Sequence, residues 1–460
     1  MIDKSDCYII KVYINAGGEC VTATKEKKQP RFKQITVMLM MTAFQLLSAA
    51  CVLCRDEELN MNLVYIFFGY IAAEWLYMLI GNLVTDNDYF ELEAIAFFLS
   101  GIGLTVCASF SESYALKQLI AIGMGLAVYL IMLLLIKDVH VAGILRYPAA
   151  VGSVAVLAAN LVLAQTVNGT LNWIDLGFFS IQPSELVKIT FILVGAVSLE
   201  KLLSITSLTK YVIFSLGCVG ALFLMRDFGT ALIFFFTFVL IAFMRSGNIR
   251  TIVLICTVAL MGAMLIIYFK PYVANRFAAY RHVWDYIDTT GYQQTRVLIY
   301  SASGGLFGLG IGEGKLRDIY AASTDLVFGL ICEEMGIILG IAVLLSFAGI
   351  AFFAIKSAKS SASTFYAIAA VGAAGMMLFQ LSLNVFGITD LLPLTGVTLP
   401  FVSRGGSSML CSWGLLAYIR AAGAPFKAPQ PDIAVKKTPP KVKNIQIDKA
   451  PPKRKKGGSA

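Results

Sequence analysis

Residues 323–336 read Ser-Thr-Asp-Leu-Val-Phe-Gly-Leu-Ile-Cys-Glu-Glu-Met-Gly, and this stretch decides the fold class. Asp325 stands where a polar loop runs into an apolar helix, and Glu333 and Glu334 lie about 12 Å further along that helix axis. Acids in such a helix are costly in a membrane, so they face a bundle interior and mark sites of function. The loop upstream, 271–324, is roughly fifty residues long and far exceeds ordinary connections. It carries Arg276, Arg281, Arg296, Lys315 and Arg317 beside several aromatic residues. Such a pairing suits a bulky anionic substrate held at a membrane surface.

Composition agrees. The chain has 460 residues, 58% hydrophobic and only 14% charged, with a mean hydropathy of +0.76. A soluble globule would carry about 25% charged residues. The expectation is an all-α polytopic membrane protein with about twelve spans, each near the roughly 20 residues a bilayer demands. They are expected at 34–54, 61–84, 91–110, 118–136, 147–165, 184–200, 211–225, 228–244, 251–270, 325–355, 363–388 and 398–421, with 211–244 alternatively a re-entrant pair. Met1 to Phe32 is polar and shows no signal-peptide core. Its segment 7–14 alternates like a strand, which alone makes no domain.

Basic residues give the orientation. With the amino terminus in the cytoplasm, Lys137 and Arg146, Lys201 and Lys210, Arg245 and Arg250, and Lys356 and Lys359 all fall in cytoplasmic loops, as the positive-inside rule requires. Both termini are then cytoplasmic, while the loops 166–183 and 271–324 lie outside with the chemistry. The net charge of +9 is concentrated at the two ends. Anionic membrane lipid accounts for it better than nucleic acid does. Residues 423–460 are rich in Pro and Lys and are expected to stay disordered.

Several tempting motifs fail on spacing. The nine cysteines imply no disulfide framework, and Cys51-Val-Leu-Cys54 has no second pair to complete a metal site. Gly308-Leu-Gly-Ile-Gly-Glu-Gly-Lys315 imitates a phosphate loop, but Leu309 stands where its first glycine belongs and Leu316 replaces the hydroxyl. His140 and His282 fall on opposite sides of the membrane, against a Ser-His-Asp triad.

What remains are polar patches on the outer side. Trp173 suits the bilayer interface, and Gln182-Pro183-Ser184-Glu185 opens a helix. Lys188 follows one turn later, facing inward. Arg226-Asp227 breaks two apolar runs. Residues 392–408, Leu-Pro-Leu-Thr-Gly-Val-Thr-Leu-Pro-Phe-Val-Ser-Arg-Gly-Gly-Ser-Ser, form a broken segment whose backbone must line a cavity.

At these residues the chain resembles the SEDS family (shape, elongation, division and sporulation; the FtsW/RodA/SpoVE type), the polytopic peptidoglycan glycosyltransferases. The matching blocks are WIDLGFFSIQPSELVK at 173–188, RDFGTAL at 226–232, GYQQTRVLIYSASGGLFGLGIGEG at 291–314, STDLVFGLICEEMG at 323–336 and LLPLTGVTLPFVSRGGSS at 391–408. The resemblance implies a ten-helix core at 88–422, preceded by a cytoplasmic segment at 1–33 and two additional helices at 34–87. It leaves those two helices outside the chemistry. Ser323 and Arg404 depart from the family's usual His and Tyr.

The resemblance also implies a mechanism. The substrate would be lipid II, with the nascent glycan strand as donor and undecaprenyl diphosphate leaving. Asp325 would be the general base on the acceptor's 4-hydroxyl, with a helix cap or a partner for a nearby Arg as its bland alternative. Trp173, Lys188, Arg276, Arg281, Gln293, Glu334, Ser407 and Ser408 would bind substrate, although Glu333 and Glu334 also suit an inter-helix polar network. Cationic help for the diphosphate would come from Arg276, Arg281, Lys188 or a divalent cation, Mg or Mn. A class B penicillin-binding protein, a transpeptidase, is the expected partner. A precursor flippase and a non-catalytic scaffold are the rival readings; a flippase lacks a charged path through the membrane here, and a scaffold would need no acid at 325.

Overall fold

The computed structural model describes residues 31–55, 58–84, 90–163, 180–200, 205–250, 280–361 and 363–423, with short pieces at 13–14, 20–21, 165–167, 170–175, 177 and within 253–264. The fold is an all-α polytopic bundle, as the composition requires. Its helices are α1 (Arg31–Leu53), α2 (Met61–Val84), α3 (Glu91–Phe110), α4 (Glu112–Leu135), α5 (Val139–Leu163), α6 (Pro183–Ser198), α7 (Ile205–Leu224) and α8 (Phe228–Ser246), then α9 (Tyr292–Ser303), α10 (Val327–Glu334), α11 (Gly336–Ser360), α12 (Thr364–Ile388) and α13 (Gly406–Gly423). Among the described residues, eight helices are long and apolar enough to cross a membrane. Two small antiparallel sheets accompany them: β1 (Tyr13–Ile14) with β2 (Cys20–Val21), and β3 (Gln165–Val167), β4 (Thr170–Asp175) and β5 (Ser180–Ile181) side by side.

Burial separates the helices by role. α3 and α12 are mostly enclosed, whereas α5 exposes Val151, Val162 and Leu163 along an apolar face. Such a face suits the apolar surroundings of a membrane. α13 packs on α4, α6, α11 and α12. Its Trp413 anchors the core, meeting Phe97, Tyr129 and Phe401 edge-on with ring centroids 5.0, 5.7 and 5.8 Å apart. Edge-to-face pairs of this kind add about 1 kcal/mol each beyond the area they bury.

The expected span 325–355 is two helices. α10 ends at Glu334, and Gly336 turns the chain at a φ of +84° that non-glycine residues rarely adopt. A Cβ on Gly336 would lie 2.3 Å from the Leu306 carbonyl, so no side chain fits there. The spanning helix therefore begins at Gly336 and leaves Asp325 outside it. Likewise the expected 398–421 span begins only at Gly406, because 392–405 is irregular. The residues 211–244 are two helices, broken where Arg226 takes a φ of 62° and Asp227 caps α8 through the Thr230 amide at 3.0 Å. The long loop 271–324 is not structureless in its described part, since it holds α9 and 3₁₀ turns at Val283–Tyr286 and Leu316–Asp318.

Candidate active site

The polar patches that the sequence spreads over more than two hundred residues meet at one end of the bundle. Asp325 is half-buried at the entrance to α10. Its own amide and those of Thr324 and Leu326 all donate to the Ala321 carbonyl, a tight turn made possible by a φ of 65° at Ala321. From α12, Asn384 Nδ2 donates to the Asp325 carbonyl at 2.8 Å and to the Val397 carbonyl at 2.7 Å. It thereby ties the acid's backbone to the irregular segment opposite. Gly396, with a φ of +70°, passes so close that a Cβ there would sit 3.3 Å from Asp325 Oδ2. Ser403 locks the other side, its Oγ donating to the Thr324 carbonyl at 2.5 Å and accepting from the Leu399 amide at 2.7 Å.

The Asp325 carboxyl is the exception in this neighbourhood. Burial pushes its pKa from the ordinary 3.8 up to about 7; the Thr324 hydroxyl pulls it down and the nearby Asp227 charge pushes it up further. Asp227 itself is committed: Asn172 Nδ2 donates to it at 2.5 Å, Gln182 Nε2 at 3.4 Å, and the Thr230 amide caps from the other oxygen.

Lys188 is fully buried behind this surface. Its ammonium donates to Glu185 Oε1 at 2.7 Å and to Gln380 Oε1 at 2.8 Å, and Gln380 passes the chain on to Thr398, whose hydroxyl meets Ser408 Oγ at 2.9 Å. An ammonium taken out of water is tolerable only when paired in this way. Ser407 Oγ accepts from the Gln182 amide at 3.2 Å. Lys188, Ser407 and Ser408 thus hold the walls together.

The remaining candidates scatter around the rim. Trp173 is half-buried on β4, paired across to Gln165. Gln293 Nε2 donates to the Tyr320 carbonyl at 3.1 Å. Arg281 is exposed, its guanidinium 5.6 Å over Tyr280 and its amide donating to Asp390 Oδ1 at 3.2 Å. Arg276 lies outside the described residues. Glu334, at the end of α10, is sealed beneath the glycine-rich loop; burial raises its pKa, and the Gly312 amide and the Arg317 guanidinium pull the other way. Glu333 accepts the amides of Lys315 and Leu316 at 2.7 and 2.9 Å. Glu333 thus acts on the loop around α10, and Glu334 lies beneath the same loop.

Two features escape a reading of the sequence. Gln380 and Asn384 are a turn apart on one buried face of α12, and two amides at i and i+4 in an apolar helix are the signal that would reveal them. Among the described residues, five non-glycine residues take a positive φ, Arg226, Arg281, Ala321, Asp390 and Phe401; Ala321 forms the turn that carries Asp325, and Arg226 directly precedes Asp227. Each such residue stores about 1 kcal/mol or more.

Among the described residues no three or more His, Cys, Asp or Glu side chains come together to hold a metal.

Comparison with known proteins gives a consistent picture. The FtsW/RodA/SpoVE family model, described as cell cycle protein, matches residues 92–423. Stage V sporulation protein E of Bacillus subtilis is 34% identical over 259 residues, covering 54% of this chain and 71% of that protein. The peptidoglycan glycosyltransferase RodA of Mycobacterium tuberculosis is 28% identical over 325 residues, 66% of this chain and 69% of that one. A solved structure described as showing structural coordination of polymerization and crosslinking by a peptidoglycan synthase complex superposes with a TM-score of 0.62 at 25% identity, covering 72% of this chain and 96% of its own. The rod shape determining protein RodA of Thermus thermophilus shares the fold, with a TM-score of 0.55 at 24% identity over 73% of this chain and 96% of that one.

Proposed function

The chain belongs to the FtsW/RodA/SpoVE family of cell cycle proteins, and on that premise we propose that it is a peptidoglycan glycosyltransferase that polymerises lipid II with Asp325 as general base. The observation that carries the reading is the contrast at Asp325: its backbone is gripped from three sides, while its carboxyl is desolvated and raised to about 7. A base with a pKa near the working pH is both ionised often enough and basic enough to take a proton, whereas an ordinary carboxylate is too weak.

In the step, Asp325 removes the proton from the acceptor sugar's 4-hydroxyl as that oxygen attacks the anomeric carbon of the nascent strand. The new glycosidic C–O bond forms as the C–O bond to the diphosphate breaks, and undecaprenyl diphosphate leaves with the electron pair. Arg281 on the rim, with Arg276 upstream in sequence, supplies positive charge for the leaving group. Any divalent cation, Mg or Mn, would arrive on the substrate's own diphosphate oxygens, as Mg²⁺ commonly does. Trp173 and Gln293 border the same end of the bundle and would meet the lipid-linked sugars.

On the distribution of Lys and Arg, we read this end of the bundle as facing outward from a bacterial cytoplasmic membrane, with both termini inside. The similarity to a protein of a peptidoglycan synthase complex supports a class B penicillin-binding transpeptidase as the partner. The deciding experiment gives purified protein lipid II in vesicles and follows glycan length. Wild-type protein is expected to make polymer and Asp325→Ala none; polymer from the variant, or none from either, would overturn the reading.

A further inference from the structure

We propose that the tip of the α1–α2 hairpin positions the catalytic loop, with Arg55 its principal residue; this rests on the polymerase reading above. The family match begins at residue 92, after both helices, and nothing in the sequence ties the hairpin to the chemistry. The contacts at its tip do.

Arg55 Nη1 donates to the Ser109 carbonyl at 3.1 Å, and Arg317 Nη2 donates to the same oxygen at 2.7 Å. Ser109 lies in the last turn of α3, where carbonyls lack helical partners, so two guanidiniums share one oxygen's two lone pairs. Between them runs Gly312, whose carbonyl takes Arg317 Nη1 at 2.5 Å. A Cβ on Gly312 would lie 2.5 Å from Arg55 Nη1 and 3.2 Å from Arg317 Nη1, and its φ is +84°. The hairpin's guanidinium therefore packs directly on the glycine-rich loop. A few residues on, Asn60 and Asn62 donate to the two oxygens of Glu112, in the first turn of α4, at 3.1 and 2.9 Å. The tip thus clasps the α3–α4 junction at both ends.

That junction is what the catalytic loop rests on. Tyr114 lies 3.9 Å beneath the Arg404 guanidinium, and the Arg404 amide donates to the Ser323 carbonyl at 2.8 Å, two residues before Asp325. The glycine-rich loop in turn closes the end of α10: the Leu309 and Gly310 amides donate to the Glu333 and Glu334 carbonyls at 2.9 and 3.0 Å, and Glu333 returns the contact to Lys315 and Leu316. Loop and α10 are one body, with Asp325 at its far end. Arg55 and Arg317 fasten that body to α3. The Arg55–Glu313 approach, at 3.9 Å and exposed, adds little.

The test uses the full chain in lipid nanodiscs, with Arg55→Ala, Arg55→Lys, the double variant Asn60→Ala/Asn62→Ala and, as control, Glu313→Gln. Polymerisation of lipid II is followed with kcat and KM separated, and amide hydrogen exchange is followed over 304–326. Arg55→Ala is expected to lower kcat roughly tenfold with KM unchanged, since small misplacement of a catalytic group costs rate and leaves binding intact. It should also speed exchange over 304–326 alone. Arg55→Lys, which keeps one donor for Ser109, should recover part of both, the double variant should show a smaller fall of the same kind, and Glu313→Gln should match wild type. Unchanged kcat and exchange in Arg55→Ala overturns the proposal, as does faster exchange throughout the bundle with Lys no better than Ala. A wild-type protein without polymerase activity sinks the catalytic reading instead, and the exchange pattern still decides the coupling.

Discussion

Lys188 and Asp325 lie at the same end of the bundle and are treated in opposite ways. The lysine is sealed from solvent and both its partners, Glu185 and Gln380, are themselves tied into the walls. The aspartate keeps one half-open face, its backbone is held by Asn384 and Ser403, and its carboxyl is left to shift its pKa. A buried charge that is fully paired acts as framework; one that is fixed in place yet incompletely paired is available for proton transfer.

The sharpest way to break this contrast is Asp325→Asn. The amide keeps the shape and removes only the proton affinity, so glycan polymer should disappear while membrane insertion and thermal stability remain. An Asp325→Asn protein with even a tenth of wild-type polymer length or rate would place the base elsewhere.

Lys188 should show the converse. Replacing it by Ala strands the Glu185 carboxylate in the core and is expected to cost about 3–5 kcal/mol of stability. Thermal unfolding in detergent should therefore fail well below the wild-type temperature, before any question of turnover. The paired replacement Lys188→Met with Glu185→Leu removes both charges and should recover much of that stability. If Lys188→Ala stays as stable as wild type and loses only activity, the lysine belongs with Asp325 after all.

How much of this was legible in the residues follows from the same two positions. The place of Lys188 one turn after Glu185 marked it as facing inward, its pairing with Glu185 and Gln380 came from the structure, and the all-α membrane fold followed from hydropathy. Hydropathy sums say nothing about where a helix stops, however. The run 325–355 reads as one span, and only the Met335-Gly336 pair hints at the left-handed glycine that splits it. That split matters chemically, because it moves Asp325 from a membrane helix into a loop. The closure of the site by Gln380 and Asn384 was also hidden: two amides a turn apart mark a polar stripe on an apolar helix, but their partners appear only when the fold puts 397, 398 and 325 beside them. Contacts of this kind, which span 18, 13 and 59 positions of the chain, have no local signature. The departures at Ser323 and Arg404 were visible singly, and the structure shows them as neighbours joined backbone to backbone.

The pH dependence sharpens the aspartate's side of the comparison. A base must be ionised, so kcat/KM should climb about tenfold per pH unit below about 7 and level off above it. The stability linkage has the opposite sense. Because the folded pKa lies above the unfolded one, the folded state holds the extra proton between the two values, and the contribution of Asp325 is lost as pH rises through about 7. Asp325→Asn should therefore be slightly more stable than wild type at pH 8 and equal to it in strong acid. A rate profile that is flat between pH 5 and 8 would show that Asp325 has an ordinary carboxylate pKa during turnover.

The smallest expected effect belongs to the rim. Arg281 is exposed, and it stacks on Tyr280 while its own amide holds Asp390. Its guanidinium is thus aimed by a neighbouring ring and a backbone anchor, and among the described residues it is not consumed by an ion pair as Lys188 is. Lys at 281 would keep the charge and lose the two-pronged geometry and the planar stacking. We expect a rise in KM for lipid II of about two- to fivefold, with kcat nearly unchanged, because an exposed cation contributes mainly to capture of the anion. The effect should shrink further as salt is raised from low to physiological strength. An Arg281→Lys protein whose KM is unaltered at low salt would mean that the diphosphate is met elsewhere, and the division between sealed framework and open site would then run inside the rim and not along it.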